Sequence, residues 1–291
     1  MGMFEAPSPS LSLPLRGRVG EGGGLGWGIP AHEARRLRAV AGRQAGFEEL
    51  VDRRRAGEPL QYLEGTVQFG RLELLADRRA LIPRPETELL WEMAVQALQG
   101  SLPLWGRVGD GQGSLPLWGR VGEGAVVVDL CTGSGNLALA LKHAFPAAQV
   151  YATDISEEAL SLAEANASRT GLEVELLRGD LFEPLPPELR GRVDLLVANP
   201  PYVSEAEFGD LPPEVRDHEP YQALVAGPRG DEVVRRVIEE APGWLRADGL
   251  LFCEIAESLL PLPMGGGWGE GTLAIRPDLT GRPRVLVARR A

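Results

Sequence analysis

Beyond Gly124 the chain alternates short apolar runs with amphipathic stretches. Ala125–Leu130 is almost continuously apolar, the pattern of a parallel strand covered on both faces. Leu137–Ala144 predicts a helix, Val150–Thr153 a second strand and Glu157–Ala167 a second helix. Val174–Leu177, Val193–Ala198 and Leu250–Glu254 predict further strands, with a helix over Asp231–Leu245 between the last two. Leu273–Ile275 and Arg284–Ala288 predict a closing antiparallel pair. Strands alternating with helices imply a doubly wound α/β sheet, whose ligands sit at the carboxyl ends of its strands.

Upstream the texture differs. His32–Arg55 is charged, with Leu37, Val40, Phe47, Leu50 and Val51 at helical spacing. From Pro59 to Ile82 the β-branched and aromatic content rises, and Gly65 and Gly70 mark turns, which predicts a hairpin. Pro85 suits the first turn of a helix, with Glu86 and Glu88 near its positive end and an apolar face on Leu89, Leu90, Met93, Ala94 and Ala97.

One phrase recurs: SLPLRGRVGEG at Ser12–Gly22, SLPLWGRVGDG at Ser101–Gly111, SLPLWGRVGEG at Ser114–Gly124, and a worn PLPMGGGWGEG at Pro261–Gly271. The unit has neither helical nor strand periodicity, and it is shorter than the ~20 residues of a solenoid repeat. It is read as an inserted surface excursion rather than a Trp/Arg docking motif, since loop closure costs little more as a loop lengthens. The repeats mark boundaries: 1–28 a repeat-bearing N-terminus, 29–58 a short helical domain, 59–82 the hairpin, and 83–291 the catalytic domain with insertions at 101–124 and 261–271.

Composition narrows the class. In 291 residues, 44% hydrophobic and 24% charged content is that of a soluble globular chain. A net charge of −11 argues against a sequence-independent grip on nucleic acid, so no direct nucleic-acid binding is expected. Two cysteines, Cys131 and Cys253, fit a reducing compartment, and no apolar run reaches the ~18 residues of a membrane span. With no signal-peptide pattern, a cytoplasmic protein with no membrane association is expected, as a monomer. His32, His143 and His218 have no metal-ligand spacing. Arg35–Arg36 and Arg53–Arg55 are read as solvated helix faces.

The chemistry gathers at strand ends. Asp129-Leu-Cys-Thr-Gly-Ser-Gly135 lies where the first strand turns into a helix, and Gly133 and Gly135 allow the backbone to approach a ligand closely. The spacing lacks the G-x-G-x-x-G that favours a pyrophosphate. Asp154 ends the second strand, where a carboxylate can accept from both hydroxyls of a ribose. Asp180 follows the third, placed to accept from an adenine amino group, with Leu181 beside the ring. Asn199-Pro-Pro-Tyr202 directly follows the strand Val193–Ala198. A planar nitrogen is a poor nucleophile, and a site helps by accepting from both of its N–H groups. The Asn199 side-chain oxygen and the Pro200 carbonyl can supply those acceptors, Pro200 and Pro201 stiffen the loop, and the Tyr202 face can pack on a planar group.

Three carboxylates at successive strand ends, with the glycine turn, resemble the class I S-adenosylmethionine methyltransferases. GEPLQYLEGTVQFG (Gly57–Gly70), LIPRPETELL (Leu81–Leu90), His218-Glu-Pro220, Ala223–Gly227 and RPDLTGRPRVLVARR (Arg276–Arg290) resemble the release-factor glutamine methyltransferases. The resemblance implies a Rossmann-like seven-stranded methyltransferase sheet with a small N-terminal helical domain and a connecting hairpin. It implies methyl transfer to the glutamine amide in the Gly-Gly-Gln motif of peptide chain release factors, its protein partners. It implies that Cys131, Thr132, Gly133, Ser134, Gly135, Asp154, Leu181 and Asn199 contact S-adenosylmethionine, that Asn199–Tyr202 hold the glutamine, and that Arg84, Pro85 and Thr87 run close to the cofactor. Cys131 stands where many relatives have glycine and is expected to be structural. The fourth repeat unit occupies the place of an expected helix and is expected to be poorly ordered. Other readings stay open: a ribosomal-protein glutamine methyltransferase, an inactive cofactor-binding remnant, or an adenine-N6 nucleic-acid methyltransferase.

Overall fold

Helices α1 (Ala31–Val40), α2 (Phe47–Arg55) and α3 (Leu60–Glu64) bury Leu37, Leu50, Val51, Leu60 and Leu63 in a small core of their own. The structure, a computed structural model, describes residues 27–43, 45–100, 124–261 and 268–291. The repeat copies at Ser12–Gly22, Ser101–Gly111 and, apart from Gly124, Ser114–Gly124 lie outside the described residues. Of the arginines read as solvated, Arg35, Arg36 and Arg55 are exposed, while Arg53 and Arg54 are half-buried, and most of them also form ion pairs within the chain. Arg36 pairs with Glu64, Arg53 with Glu58, and Arg54 with both Glu33 and Glu214. Acidic residues on facing elements draw in Arg54, whose side chain is only 15% exposed.

Helix α3 lies within the stretch that predicted only a hairpin; Gly65, at φ 76°, ends it. The hairpin follows as β1 (Thr66–Phe69) and β2 (Leu72–Leu75), closing across Phe69 and Leu72. Helix α4 (Pro85–Leu98) begins at Pro85 and buries Thr87, Leu90, Met93, Ala94, Ala97 and Leu98.

The main sheet then builds in order. Strand β3 (Val126–Leu130) leads to α5 (Asn136–Ala144), β4 (Gln149–Asp154) to α6 (Glu157–Thr170), and β5 (Glu175–Arg178) to β6 (Val193–Ala198). A small excursion follows: β7 (Val203–Ser204), α7 (Pro213–Arg216), α8 (Tyr221–Leu224) and β8 (Val225–Gly227). Helix α9 (Glu232–Trp244), β9 (Leu245–Glu254), β10 (Trp268–Pro277) and β11 (Pro283–Arg290) complete the chain.

The seven strands lie in the order β10-β11-β9-β6-β3-β4-β5, parallel from β9 to β5, with β11 antiparallel to β9 and to β10. Side chains alternate along β3: Val127 faces the core under α4 and α5, and Val126, Val128 and Leu130 face the core under α9. Each such fully buried side chain contributes ~1.5–3 kcal/mol, so both faces hold the sheet. From β3 the chain winds one way to β4 and the other way to β6. A crevice opens there at the strands' carboxyl ends.

The fourth repeat unit is described only at Pro261 and at its last four residues. Residues 262–267 lie outside the described residues, but Trp268–Gly271 opens β10. Trp268 pairs with Arg290, packs on the α9 core, and donates its indole N–H to the Ile238 carbonyl at 3.1 Å. Pairing with β11 and the apolar burial of its ring hold Trp268 on the sheet, in a stretch with little strand propensity of its own.

Candidate active site

The turn between β3 and α5 is held in left-handed backbone, with Cys131 at φ 57°, Gly133 at 57° and Gly135 at 80°. Glycine adopts this at no cost; the Cys131 side chain carries ~1–2 kcal/mol of strain. Burial pushes its thiol well up, which keeps it protonated and unreactive. Asp129 organises the turn from beneath. Its Oδ2 accepts from the Thr132 hydroxyl at 2.6 Å and the Ala138 N–H at 3.1 Å, while Oδ1 has no partner. Burial pushes this carboxyl up to about 7.

Asp154, ending β4, accepts from the Gly133 N–H at 2.8 Å and the Ser156 N–H at 2.9 Å. Burial raises its carboxyl, and those backbone donors oppose the rise. Each oxygen keeps a second lone pair for a ligand. Leu181 sits at φ 48°, a strained position for a bulky residue, and the Thr153 hydroxyl donates to its carbonyl at 2.8 Å. Asp180 is not free: both oxygens accept from Arg236, at 3.0 and 2.8 Å.

Cys131, Thr132, Gly133, Ser134, Asp154, Asp180, Leu181, Asn199 and Pro201 line one cavity of about 310 Å³. Gly135 does not; it caps α5 and lets α6 approach, and a Cβ there would lie 3.2 Å from that of Ala163. S-adenosylmethionine fits this cavity. It is a cation with a ribose diol and an amino-acid end, and the lining carries polar groups suited to these, the Asp154 carboxylate and the buried, unpartnered Ser134 hydroxyl. The cavity's own cations, Arg79 and Arg236, are neutralised by Asp77 and Asp180.

A second, 40 Å³ cavity adjoins the first, lined by Asn199, Pro200, Pro201 and Tyr202 with Leu81, Arg84 and apolar residues of the β7–β8 excursion. Asn199 and Pro201 line both cavities. The Asn199 Nδ2 donates to Thr87 Oγ1 at 3.1 Å, and the Thr87 hydroxyl donates to Glu254 Oε2 at 2.8 Å. The Tyr202 hydroxyl stands 3.5 Å from Glu254 Oε1. Burial raises the Glu254 carboxyl, opposed by the Thr87 hydroxyl and by Arg284. At the far wall Arg84 donates to the buried Glu219 at 2.6 Å.

Sequence reasoning brought Asn199–Tyr202 and the strand-end carboxylates to one crevice but missed Glu254, Arg236 and Asn166. Glu254 had a signal: a lone carboxylate closing an apolar strand. Its relevance needed the sheet order, because Cys253 pairs with Ala198 and so sets Glu254 beside Asn199. Asn166, fully buried on α6, accepts from the Leu75 N–H at 2.6 Å and donates to the Ser134 carbonyl at 2.9 Å, tying hairpin to turn. Among the described residues no group of His, Cys, Asp and Glu is arranged to hold a metal, and no helix is long and apolar enough to cross a membrane.

The family model described as the methyltransferase small domain matches residues 117–211. A solved Thermus thermophilus 16S rRNA N2 G1207 methyltransferase, bound to S-adenosylmethionine and guanosine, is 18% identical with a TM-score of 0.48; the match covers 78% of this chain and 50% of that one. The release factor glutamine methyltransferase of Deinococcus radiodurans is 42% identical over 247 residues, covering 84% of this chain and 78% of the relative. That of Mycolicibacterium smegmatis is 42% identical over 250 residues, covering 84% and 80%. Relatives this similar over 84% of the chain show that it belongs to the release factor glutamine methyltransferase family.

Proposed function

We propose that this chain is an active enzyme that transfers a methyl group to the side-chain amide nitrogen of the glutamine in the Gly-Gly-Gln motif of peptide chain release factors. The observation that carries it is the meeting of the two cavities at Asn199 and Pro201: a large one suited to the donor and a small one suited to a slender side chain. When bound, S-adenosylmethionine supplies an electrophilic methyl group on a cationic sulfur. Cys131–Ser134, Asp154 and Leu181 would hold it, with Asp154 taking the ribose hydroxyls. Asp180 shares its oxygens between Arg236 and the adenine amino group.

Asn199 Oδ1 and the Pro200 carbonyl accept from the two N–H groups of the glutamine amide. That pair fixes the nitrogen and draws electron density toward it, so positioning supplies most of the acceleration. The Tyr202 ring packs on the planar amide; the nitrogen would gain the methyl group as the sulfur–methyl bond breaks, and the proton it loses goes to water, since neither acceptor is basic enough to keep it. The rigid hydrogen-bonded frame behind Asn199 supports an active copy over a remnant. The net charge of −11 supports a protein substrate, and a cytoplasmic monomer without nucleic-acid contact is part of the same proposal.

Asn199→Ala tests the assignment. Cofactor affinity measured by calorimetry should stay within a few-fold, while transfer to a purified release factor falls by ~100-fold or more. Near-normal turnover in the variant would reduce the tetrapeptide to a structural turn.

A further inference from the structure

Two groups behind the acceptor loop, neither of them on it, share one hydrogen-bonded line with Asn199. Thr87 is fully buried near the start of α4, and Glu254 is 1% exposed at the end of β9. The line runs from Asn199 Nδ2 to Thr87 Oγ1 at 3.1 Å and from the Thr87 hydroxyl to Glu254 Oε2 at 2.8 Å. A threonine hydroxyl has one proton. The Thr87 hydroxyl and Arg284 both favour the ionised form of Glu254, which can only accept, so Thr87 spends that proton on Glu254 and offers Asn199 a lone pair. Only the NH2 end of the Asn199 amide can use a lone pair. Its oxygen is left facing the other way, and among the described residues it accepts nothing.

We propose that Glu254, acting through Thr87, is a positioning residue that sets which end of the Asn199 amide faces the junction of the two cavities. Were the amide reversed, it would present an NH2 group to a substrate amide that also donates, and the acceptor pair would be lost. Glu254 also stands against the Tyr202 hydroxyl, so one buried carboxylate braces the loop at both ends of the Asn-Pro-Pro-Tyr run. The inference rests on the glutamine-amide reading of that loop and adds to it why an acid sits, dry, behind a site that uses none for proton transfer.

Glu254→Gln keeps the shape and breaks the direction, because a glutamine NH2 can donate to Thr87 and free the Thr87 proton for Asn199 Oδ1. Thr87→Val removes the relay, and Thr87→Ser retains it. In the full chain, kcat toward a purified release factor should fall by about 10- to 100-fold in Glu254→Gln and Thr87→Val, the scale of a misplaced polar group. Cofactor affinity should hardly change, and Thr87→Ser should restore most of the loss. A substrate-free readout accompanies the kinetics: the Asn199 side-chain amide protons, followed by NMR hydrogen exchange, should exchange faster in Glu254→Gln and Thr87→Val than in the wild type. Full kcat with unchanged exchange in folded Glu254→Gln overturns the inference, as does equal loss in Thr87→Val and Thr87→Ser. Failure of the wild-type chain to methylate the factor would instead overturn the glutamine reading, and the exchange comparison would still decide the role of Glu254.

Discussion

Asp129 and Asp154 are both strand-end carboxylates, but the structure gives them different work. Asp129 is fully buried beneath the turn, and its carboxyl is pushed up to about 7 from an ordinary 3.8. Its folded form therefore holds a proton more tightly than its unfolded form. The stability it contributes is complete below the unfolded value and is lost as pH rises toward 7. Asp129→Asn should flatten the fall in unfolding free energy between pH 4 and 7, by up to ~1.4 kcal/mol per pH unit; parallel profiles for variant and wild type would contradict the shift. Asp154 instead faces the cavity and also holds the Gly133 N–H. Asp154→Ala should weaken S-adenosylmethionine binding at least ~10-fold by calorimetry, since both a ligand acceptor and the turn's tether are lost. Unchanged affinity would sink that role. These positions were legible because a carboxylate after an apolar run is visible in sequence. Thr87 and Glu254 were not connected, because 167 residues separate them and only the order of strands brings them together.

Among elements, the central strands and the helices α4, α5, α6 and α9 were written in their apolar periodicity. Helix α3 was not, since five residues carry too little period to outweigh the strand-forming content around them. The start of β10 was hidden for another reason: Trp-Gly-Glu-Gly has no strand pattern, and it lies in the strand only beside its partner β11. The tie between hairpin, α6 and turn is Asn166, whose side chain bonds both the Leu75 N–H and the Ser134 carbonyl. Asn166→Leu strands those buried groups, and denaturant unfolding should show a loss of at least ~2 kcal/mol. Cofactor affinity should fall with it, because Ser134 lines the cavity. A variant as stable as wild type would mean that the hairpin needs no such tie.

At the scale of the whole molecule, a doubly wound sheet sets five parallel strand ends along one crevice, and its topology reverses between β3 and β6. The cofactor turn lies on one side of that reversal and the Asn-Pro-Pro-Tyr loop on the other. The cavities could not be read from sequence, since their walls come from the hairpin exit, the β7–β8 excursion and α9 as well as the strands. The repeats were legible as insertions by composition alone, and where one of them is described it extends the sheet edge away from this crevice. The central claim is that the two cavities bring a methyl donor and a glutamine amide together. The direct measurement incubates the full chain with isotope-labelled S-adenosylmethionine and a purified release factor, and maps the label by mass spectrometry of factor peptides. One labelled methyl on the amide of the Gly-Gly-Gln glutamine, absent from a factor in which that glutamine is replaced, is the result expected. A factor left unlabelled, or labelled equally after the replacement, would contradict the account.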